Sequence, residues 1–369
     1  MVVPAVAKSS RKHRRNRHCD VFVVLFVSVI ALGGGWLSIK FLGRDTSTLP
    51  QSSSSEGGIK SDSSSSSSVI DEENINVRVP LTPVNMQSMP EQPHLIYGTA
   101  WKKDDTADLV YDALHAGFRY IDTACQPKHY DEPGVGYGWK VAIEKLGLTR
   151  EDIYLQTKFT SLQGQDPHNT PYIHDAKLEN QVRQSVHASL RNLQTTYIDT
   201  LLLHSPMPTM YETLKVWKVM EESIEAGKVR NLGISNCYSV EDFRTIYQEA
   251  KVKPRVLQNR FYQKSNFDSE LRRLCDELDV QYQSFWTLSA NRVALASEEW
   301  KSMAHAKKLT PQTLMYAYMM TLGHIPLSGT KDVNHMDEDV DVMMRLQRGE
   351  EILSKAEMET LSSLLGVQS

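Results

Sequence analysis

Eight short apolar runs between residues 94 and 329 constrain the fold of this 369-residue chain more than any other feature. Each run has the length of a strand, and intervening segments such as "QVRQSVHASLRNLQTT" and "DSELRRLCDELDV" carry apolar residues at helical spacing. Such alternation predicts a parallel sheet, and eight strand–helix units are the number that closes into a (β/α)8 TIM barrel of the α/β class. The runs are 94–100, 118–124, 153–159, 199–204, 229–236, 254–259, 280–287 and 324–329.

The alternative arrangement is a doubly wound open sheet. That fold usually carries a glycine-rich dinucleotide fingerprint after its first strand, and residues 94–105 contain no such motif. We therefore favour the closed barrel. Because the runs are rich in apolar residues, we also expect apolar strand interiors, with polar groups gathered at one mouth.

Polar side chains stand at the carboxyl ends of most runs, which is where barrel enzymes place their chemistry. Each has an ordinary structural explanation when taken alone: an Asp after a strand often caps a helix, and a Lys there is usually solvated. Their joint occurrence at one predicted mouth favours a functional site. They are Asp122, Lys158, His204, Ser235, Asn236, Gln258, Ser328, Gly329 and Thr330, joined by the aromatic Phe285 and Trp286.

The front of the chain differs in composition from the rest. The sequence predicts a basic tail over residues 1–20, a transmembrane helix over 21–39, a disordered Ser-rich linker over 40–78 and the barrel domain over 79–369. Residues 21–39 contain no charged side chain, and as a helix they would span ~28 Å, about one hydrocarbon core. The serine tract cannot bury enough apolar surface to fold.

The charge around the apolar segment predicts a single-pass membrane protein with a cytosolic N-terminus. On that orientation the barrel lies on the non-cytosolic side of the membrane. A cleaved signal peptide stays open as the alternative, because residues 21–32 alone have the length of its apolar region.

Charge and cysteine content exclude several classes of function. The net charge is −4, and residues 1–44 carry +7 (eight Lys/Arg, one Asp), so residues 45–369 carry −4 − 7 = −11. An acidic body predicts no nucleic-acid partner. Four widely spaced cysteines (Cys19, Cys125, Cys237 and Cys275) match neither a metal-binding pattern nor a disulfide framework.

Six motifs occur in order over about residues 90–345: "FRYIDTA" with a following Tyr, "TK" after the third run, "LLLHSP", "VRNLGISN", a Gln ending the sixth run, and "IPLSGTKDVNHMDED". In this order they resemble the aldo-keto reductase superfamily. The resemblance implies a TIM-barrel enzyme that uses NADPH to reduce a small-molecule aldehyde or ketone.

Carried over residue by residue, the resemblance implies a catalytic tetrad and a cofactor site. The tetrad is Asp122, Tyr130, Lys158 and His204. The implied cofactor contacts run from the nicotinamide to the adenosine phosphate: Ser235, Asn236, Gln258, Phe285, Thr287, Leu288, Ser289, Ser328, Gly329, Thr330, Lys331, His335, Glu338 and Asp339.

Reducing a carbonyl needs a hydride on carbon and a proton on oxygen. Tyr130 would donate the proton, and the nearby Lys158 ammonium is expected to lower the phenol pKa from its usual value of about 10. Asp122 would pair with Lys158, which is costly to bury alone. His204, neutral near pH 7, would donate a hydrogen bond to the substrate oxygen.

The sequence departs from the family pattern at several points. The segment "QPK" (126–128) is extra and must bulge outward if Tyr130 is to reach the site. Phe285 stands where a Tyr is common, and Ser205 where a Trp is common. Leu327 and His335 replace cations that many relatives direct at the 2′-phosphate.

Two other functions stay open, a cofactor-binding, non-catalytic partner subunit of another membrane protein and a secreted binding domain. Turnover of generic aldehydes would separate the enzyme from the partner subunit. Cys125 and His129 do not by themselves make a metal site. Cys125 near the mouth is also a candidate regulatory thiol.

Overall fold

The computed structural model describes residues 94–367, in which eight parallel strands close into a barrel in the order β1 to β8. Each strand overlaps one of the eight apolar runs, so the predicted (β/α)8 barrel is confirmed and the open sheet is wrong. The strands are β1 Ile96–Gly98, β2 Tyr120–Asp122, β3 Tyr154–Phe159, β4 Ile198–Leu203, β5 Val229–Ser235, β6 Val256–Arg260, β7 Gln281–Phe285 and β8 Ile325–Ser328.

Helices alternate with the strands, as the spacing of apolar residues predicts. The α-helices are α1 Thr106–Ala116, α2 Glu132–Leu146, α3 Leu178–Asn192, α4 Met210–Glu225, α5 Val240–Glu249, α6 Ser269–Glu277, α7 Arg292–Leu295, α8 Glu298–Ala306, α9 Pro311–Thr321, α10 Val333–Gln347 and α11 Lys355–Leu365. Short 3₁₀ helices cover Lys103–Asp105, Arg150–Asp152, Leu162–Gly164 and Gln263–Asp268.

The predictions for the front of the chain lie outside the described residues. These are the basic tail (1–20), the transmembrane helix (21–39), the linker (40–78) and the first residues of the predicted domain (79–93). In the part of the chain from 94 to 367, no helix is long and apolar enough to cross a membrane.

The strand register brings the carboxyl ends of the strands to one mouth. Gly98 of β1 stands beside Asp122 of β2, and Ser235 of β5 stands beside Gln258 of β6. Pairing of β1 with β8 closes the ring. Polar residues that are far apart in the sequence therefore share one surface.

The apolar core lies between the strands and the surrounding helices. Alternate strand residues such as Leu155, Leu201 and Ile234 point outward and belong to one large buried cluster with the helices. Trp139 of α2 and Trp217 of α4 are also fully buried in this cluster. Burial of such large side chains supplies most of the driving force that closes the helices onto the barrel.

The barrel interior is more polar than the apolar runs indicate. Gln156 donates to Gln283 (2.8 Å), Gln283 donates to Tyr120 (3.0 Å), and both Gln156 and Gln258 donate to Asp122. The prediction of apolar strand interiors is therefore wrong for the inward-facing positions. Alternation sends most apolar strand residues outward, a smaller apolar cluster that includes Ile96 and Ile325 stays separate from the outer core, and the buried inward polar groups are satisfied by one another.

Helix α2 begins directly after the Tyr130 segment and is held close to α3. The Asp131 side chain accepts a hydrogen bond from Gly134 N at 3.0 Å and caps the helix. At Gly136 a Cβ atom would lie 2.0 Å from the backbone oxygen of Asn192, so only glycine permits this approach. The cap and the close packing together fix the position of the chain that follows Tyr130.

Candidate active site

One cavity of about 730 Å³ opens at the carboxyl mouth of the barrel. Its walls contain all of the predicted catalytic and cofactor residues except Lys158 and Lys331. The volume lies in the range of small-molecule and cofactor sites. Additional residues in the wall include Trp101, Arg260, Trp286, Thr310, Gln312 and Tyr316.

Lys158 and Asp122 form a buried ion pair beneath this wall. The Lys158 ammonium lies 2.7 Å from Asp122 Oδ1 and 2.6 Å from Oδ2, and it also donates to the Thr123 backbone oxygen at 2.8 Å. Asp122 Oδ1 accepts two further bonds, from Gln156 at 2.7 Å and from Gln258 at 3.0 Å. All of the ammonium's donors are used, and the carboxylate is saturated, which offsets the cost of burying the pair.

Burial lowers the pKa of the Lys158 ammonium, while the charge and hydrogen bonds of Asp122 oppose this shift. The ion pair is therefore what keeps a charged lysine at a fully buried position. The ammonium also lies near Tyr130, because the Lys158 Nζ is 5.4 Å from the centre of the Tyr130 ring.

The extra segment before Tyr130 forms a compact turn. The backbone N–H groups of His129 and Tyr130 both donate to the oxygen of Gln126 at 3.0 Å, and Pro127 and Lys128 are exposed. Tyr130 lines the cavity, with its ring 6.2 Å from that of His204. The predicted outward bulge of 126–128 is observed at Pro127 and Lys128, whereas Gln126 is buried, and Tyr130 lies in the cavity wall.

The expectation of a lowered phenol pKa is wrong for this state of the protein. Burial raises the pKa of Tyr130 well above its usual value, and the negative charge of Asp122 adds to the increase. Desolvation of the buried phenol is the larger cause, and the Lys158 ammonium does not offset it because Asp122 neutralises that charge at contact distance. Tyr130 is therefore fully protonated, which is the form that a proton donor requires.

His204 is held in one orientation by a neighbour that sequence reasoning missed. Its Nδ1 lies 2.6 Å from the hydroxyl oxygen of Thr160. Burial, followed by the positive charge of Lys158, lowers the pKa of His204 to about 3, so the ring is neutral. A neutral ring carries one N–H, and a hydroxyl donating to Nδ1 leaves that proton on Nε2.

The residues predicted around the nicotinamide are connected to one another. The Asn236 amide donates to the backbone oxygen of His204 at 2.9 Å, and the Ser235 hydroxyl donates to the backbone oxygen of Gln258 at 2.7 Å. Asn236 has a left-handed backbone (φ 53°), a conformation that Asn tolerates better than most residues. These bonds fix the amide groups that face the cavity.

At the β8 end the cavity wall is acidic. The Ser328 hydroxyl donates to Asp339 Oδ2 at 2.7 Å. Burial, opposed by the Ser328 hydrogen bond and reinforced by the charge of Glu338, raises the pKa of Asp339 to about 7. Asp339 therefore changes its charge near neutral pH at the position expected to approach the adenosine.

Two lysines lie near this acidic wall, and neither lines the cavity. Lys331 contacts Asp105 at 3.0 Å, with both side chains exposed. The buried Lys102 donates to the backbone oxygens of Gly329 and, at 2.9 Å, Thr330. Burial, followed by the charge of Lys331, lowers the pKa of Lys102 to about 8.

Cys125 is buried, with 1% of its surface exposed. Burial raises the pKa of its thiol far above the usual value, and the nearby Glu132 carboxyl adds to this effect. A thiol that is neither accessible nor ionised reacts slowly. The structure therefore does not favour the regulatory thiol considered from the sequence.

Several residues near the cavity were not predicted from the sequence, among them Thr160, Arg260 and Lys102. Arg260 follows Gln258 by two positions on β6, so the period of the strand places it on the same inward face. This spacing of two residues along a strand could have identified Arg260 from the sequence. Thr160 and Lys102 meet partners 44 and 227 residues away, which no local pattern indicates.

The Aldo/keto reductase family model matches residues 94–353. An aldo-keto reductase from Mycolicibacterium paratuberculosis is 29% identical over 261 residues, covering 70% of this chain and 83% of that protein. An NAD/NADP-dependent indole-3-acetaldehyde reductase from Schizosaccharomyces pombe is 27% identical over 268 residues, covering 71% and 84%.

Among solved structures, an aldo/keto reductase from Brucella melitensis superposes with a TM-score of 0.61 at 25% identity, covering 74% of this chain and 95% of that one. The aldose reductase from Schistosoma japonicum, at 22% identity and a TM-score of 0.60, shares the fold over 75% and 90%. The matched span contains the whole barrel and every residue of the cavity wall, and the chain belongs to the Aldo/keto reductase family of oxidoreductases.

Proposed function

We propose that this chain reduces an aldehyde or ketone to an alcohol with NADPH as the hydride donor and Tyr130 as the proton donor. The observation that carries the proposal is the buried Lys158–Asp122 pair, which lies next to Tyr130 and His204 in the wall of one cavity, with Lys158 itself beneath that wall. The cavity volume fits a dinucleotide site, and its polar groups line both ends. When bound, the nicotinamide supplies the hydride to the carbonyl carbon.

Tyr130 is suited to donate the proton because its raised pKa keeps the phenol protonated at neutral pH. As the carbonyl oxygen gains negative charge, it becomes a strong acceptor for that proton. The phenolate left behind lies on the side of the Lys158 ammonium. Asp122 offsets most of the Lys158 charge, and the attraction that remains acts on the phenolate and hardly on the neutral phenol, so Lys158 favours the product of proton transfer.

His204 is suited to orient the substrate. Its neutral ring, with Nδ1 engaged by Thr160, presents Nε2–H to the carbonyl oxygen. A neutral donor at this place does not compete with Tyr130 as an acid, because its own proton is too weakly acidic to leave. The two groups thus divide proton donation and orientation between them.

We propose that the chain binds NADPH more tightly than NADH and that the difference in affinity is small. The backbone of Gly329 and Thr330 and the Thr330 hydroxyl face the expected 2′-phosphate, and Lys331 can supply a charge if it leaves Asp105. Glu338 and Asp339 in the same wall oppose the additional 2′-phosphate. The opposing charges predict a weaker preference than a site with a guanidinium would have.

The test is oxidation of NADPH and of NADH by the purified full-length chain with a panel of aldehydes and ketones. We expect turnover with several carbonyl substrates, with the larger kcat/KM for NADPH. Tyr130→Phe is the matched control, since it removes the hydroxyl that would donate the proton and keeps the ring. Cofactor binding without turnover of any carbonyl would contradict the proposed activity and favour a binding subunit.

We further propose that residues 21–39 anchor the chain in a membrane, with residues 1–20 in the cytosol. Support comes from the uncharged 19-residue segment between a basic tail and a serine tract. Extraction of membranes at alkaline pH should leave the chain in the pellet, and deletion of 21–39 should release it. Protease digestion of sealed vesicles tests the orientation: a protected barrel supports it, and complete digestion without detergent contradicts it.

A further inference from the structure

The cavity contains one permanent cation that neither the tetrad nor the predicted cofactor contacts use. Arg260 ends β6, and among the described residues it is the only Arg or Lys that lines the cavity. Lys158 is buried beneath the wall in its contact with Asp122, and Lys331 contacts Asp105. An anion within this cavity therefore has Arg260 as its nearest fixed positive charge in the wall.

Aromatic side chains surround the guanidinium. Its central carbon lies 3.9 Å from the ring centre of Trp286, 5.2 Å from that of Tyr262 and 5.8 Å from that of Phe285. A cation–π contact uses the flat face of the guanidinium, while its N–H donors point outward in the plane. The stack therefore fixes the direction of the group without using its donors.

The hydrogen-bonding capacity of Arg260 is incompletely satisfied. Its Nε is buried and has no hydrogen-bond partner among residues 94–367. A buried donor without an acceptor is unfavourable, so a ligand that brings an acceptor gains binding energy there.

Trp286 adopts a left-handed backbone (φ 56°), which is unusual for a bulky residue. Such conformations persist where the surroundings hold them, often at ligand sites.

We propose that Arg260, stacked on Trp286, binds the diphosphate of the dinucleotide cofactor, an inference that rests on the proposed function. The strand register pairs Arg260 with Phe285, the expected stacking partner of the nicotinamide. Trp286 follows Phe285 and precedes 287–289, the segment expected at the diphosphate. A diphosphate that links a nicotinamide at Phe285 to an adenosine at β8 passes this segment, and its adjacent oxygens match the paired donors of a guanidinium.

The variant Arg260→Met tests the assignment, because it removes the donors and keeps an apolar stem over Trp286. Dissociation constants for NADPH and NADH, measured by titration calorimetry on the full-length chain, should both rise by about 10- to 100-fold. The two factors should be equal, since both cofactors carry the diphosphate. Adenosine 2′-monophosphate, which lacks the diphosphate, should bind both proteins alike.

Arg255→Met is the matched control. Arg255 immediately precedes the other end of the same strand and pairs with Asp279 on the surface, so its loss should change neither affinity. Arg260→Lys keeps the charge without the planar fork and should give an intermediate loss. Thermal unfolding of Arg260→Met and Arg260→Lys then separates a binding effect from a folding defect.

An unchanged NADH affinity in folded Arg260→Met would overturn the inference and leave the proposed function standing. A raised KM for an aldehyde that carries a carboxylate, with unchanged cofactor affinity, would also overturn it and assign Arg260 to the substrate. Failure of the unmodified chain to bind either dinucleotide would overturn the inference and the proposed function together.

Discussion

The two ends of the cavity differ in how their charges are neutralised. At the catalytic end the Lys158 ammonium lies 2.6 Å from Asp122, and both groups are buried and fully hydrogen-bonded. At the β8 end the wall contains Glu338 and Asp339, while Lys331 contacts an exposed aspartate instead of the cavity.

The difference separates chemistry from cofactor choice. The catalytic end is organised by contacts within the protein, so its geometry exists before any ligand binds. At the β8 end Asp339 titrates near neutral pH, and Lys331 would have to leave Asp105 to reach a ligand. The affinity of this end for a cofactor should therefore depend on pH and on the ligand's charge. Substitutions at the catalytic end should therefore change stability and turnover strongly, and those at the β8 end should change affinity by small factors.

The largest expected effect comes from breaking the ion pair. Asp122→Asn leaves the Lys158 ammonium buried without a carboxylate and should lower the free energy of unfolding by about 3–5 kcal/mol. Chemical denaturation measures this loss. Adding Lys158→Met should recover most of it, because the unpaired charge is then gone. A loss below about 1 kcal/mol for the single variant, typical of an exposed pair, would show that the site is more hydrated than its burial implies.

Removing the proposed proton donor should leave the protein folded and lower its turnover. Tyr130→Phe is expected to lower kcat by at least ~10²-fold, the usual scale of one general acid. The dissociation constant of the cofactor should not change, since the ring remains. Steady-state kinetics and calorimetry on the same sample measure both quantities. An unaltered kcat would mean that another group donates the proton.

A smaller effect is expected from the residue that orients His204. Thr160→Val removes the hydroxyl at 2.6 Å from Nδ1 and should lower kcat by about 5- to 10-fold, the value of one hydrogen bond. Thr160→Ser should restore the rate. Nitrogen NMR of the His204 ring gives an independent reading: the Val variant should lose its preference for the Nε2–H tautomer. A tautomer unchanged in the Val variant would assign Thr160 a packing role only.

The smallest effect is a pH-dependent cofactor preference at the β8 end. Above pH about 7 the Asp339 carboxylate is ionised and repels a 2′-phosphate, and below it the carboxyl is neutral. The affinity for NADPH relative to NADH should therefore rise as pH falls through about 7, by about 2- to 5-fold. Titrations between pH about 8.5 and about 6.5 avoid most of the phosphate's own protonation near 6.

Asp339→Asn is the control for this pH dependence. It keeps an acceptor for the Ser328 hydroxyl and removes the titrating charge. The ratio of affinities should then be flat across the same range. A persistent slope in this variant would show that a group other than Asp339 causes the pH dependence.

Much of the fold was predictable from the sequence. Eight apolar runs separated by helical segments leave few topologies, and right-handed parallel connections reduce these to a barrel. The polarity of the interior was harder to predict: Gln156 and Gln283 are buried side chains whose acceptors come from other strands. Local composition does not show which polar residue will find a partner.

The candidate site was likewise predictable only in part. Strand ends and motif order placed Asp122, Tyr130 and His204 at one mouth, and the cavity contains them. The direction of the Tyr130 pKa shift was predicted wrongly, because burial of the phenol, followed by the negative charge of Asp122, outweighs any effect of the Lys158 ammonium. That balance is set by distances between side chains of different strands.

The sequence by itself therefore determined the number and order of the strands and which residues stand at their carboxyl ends, because both follow from periodicity along the chain. Only the tertiary structure decided which partner neutralises each charge: Asp122 for Lys158, Asp105 for Lys331, and aromatic rings for Arg260. The reason is physical. Electrostatic energy depends on separations of a few ångströms and on burial, and both are set when distant segments pack together.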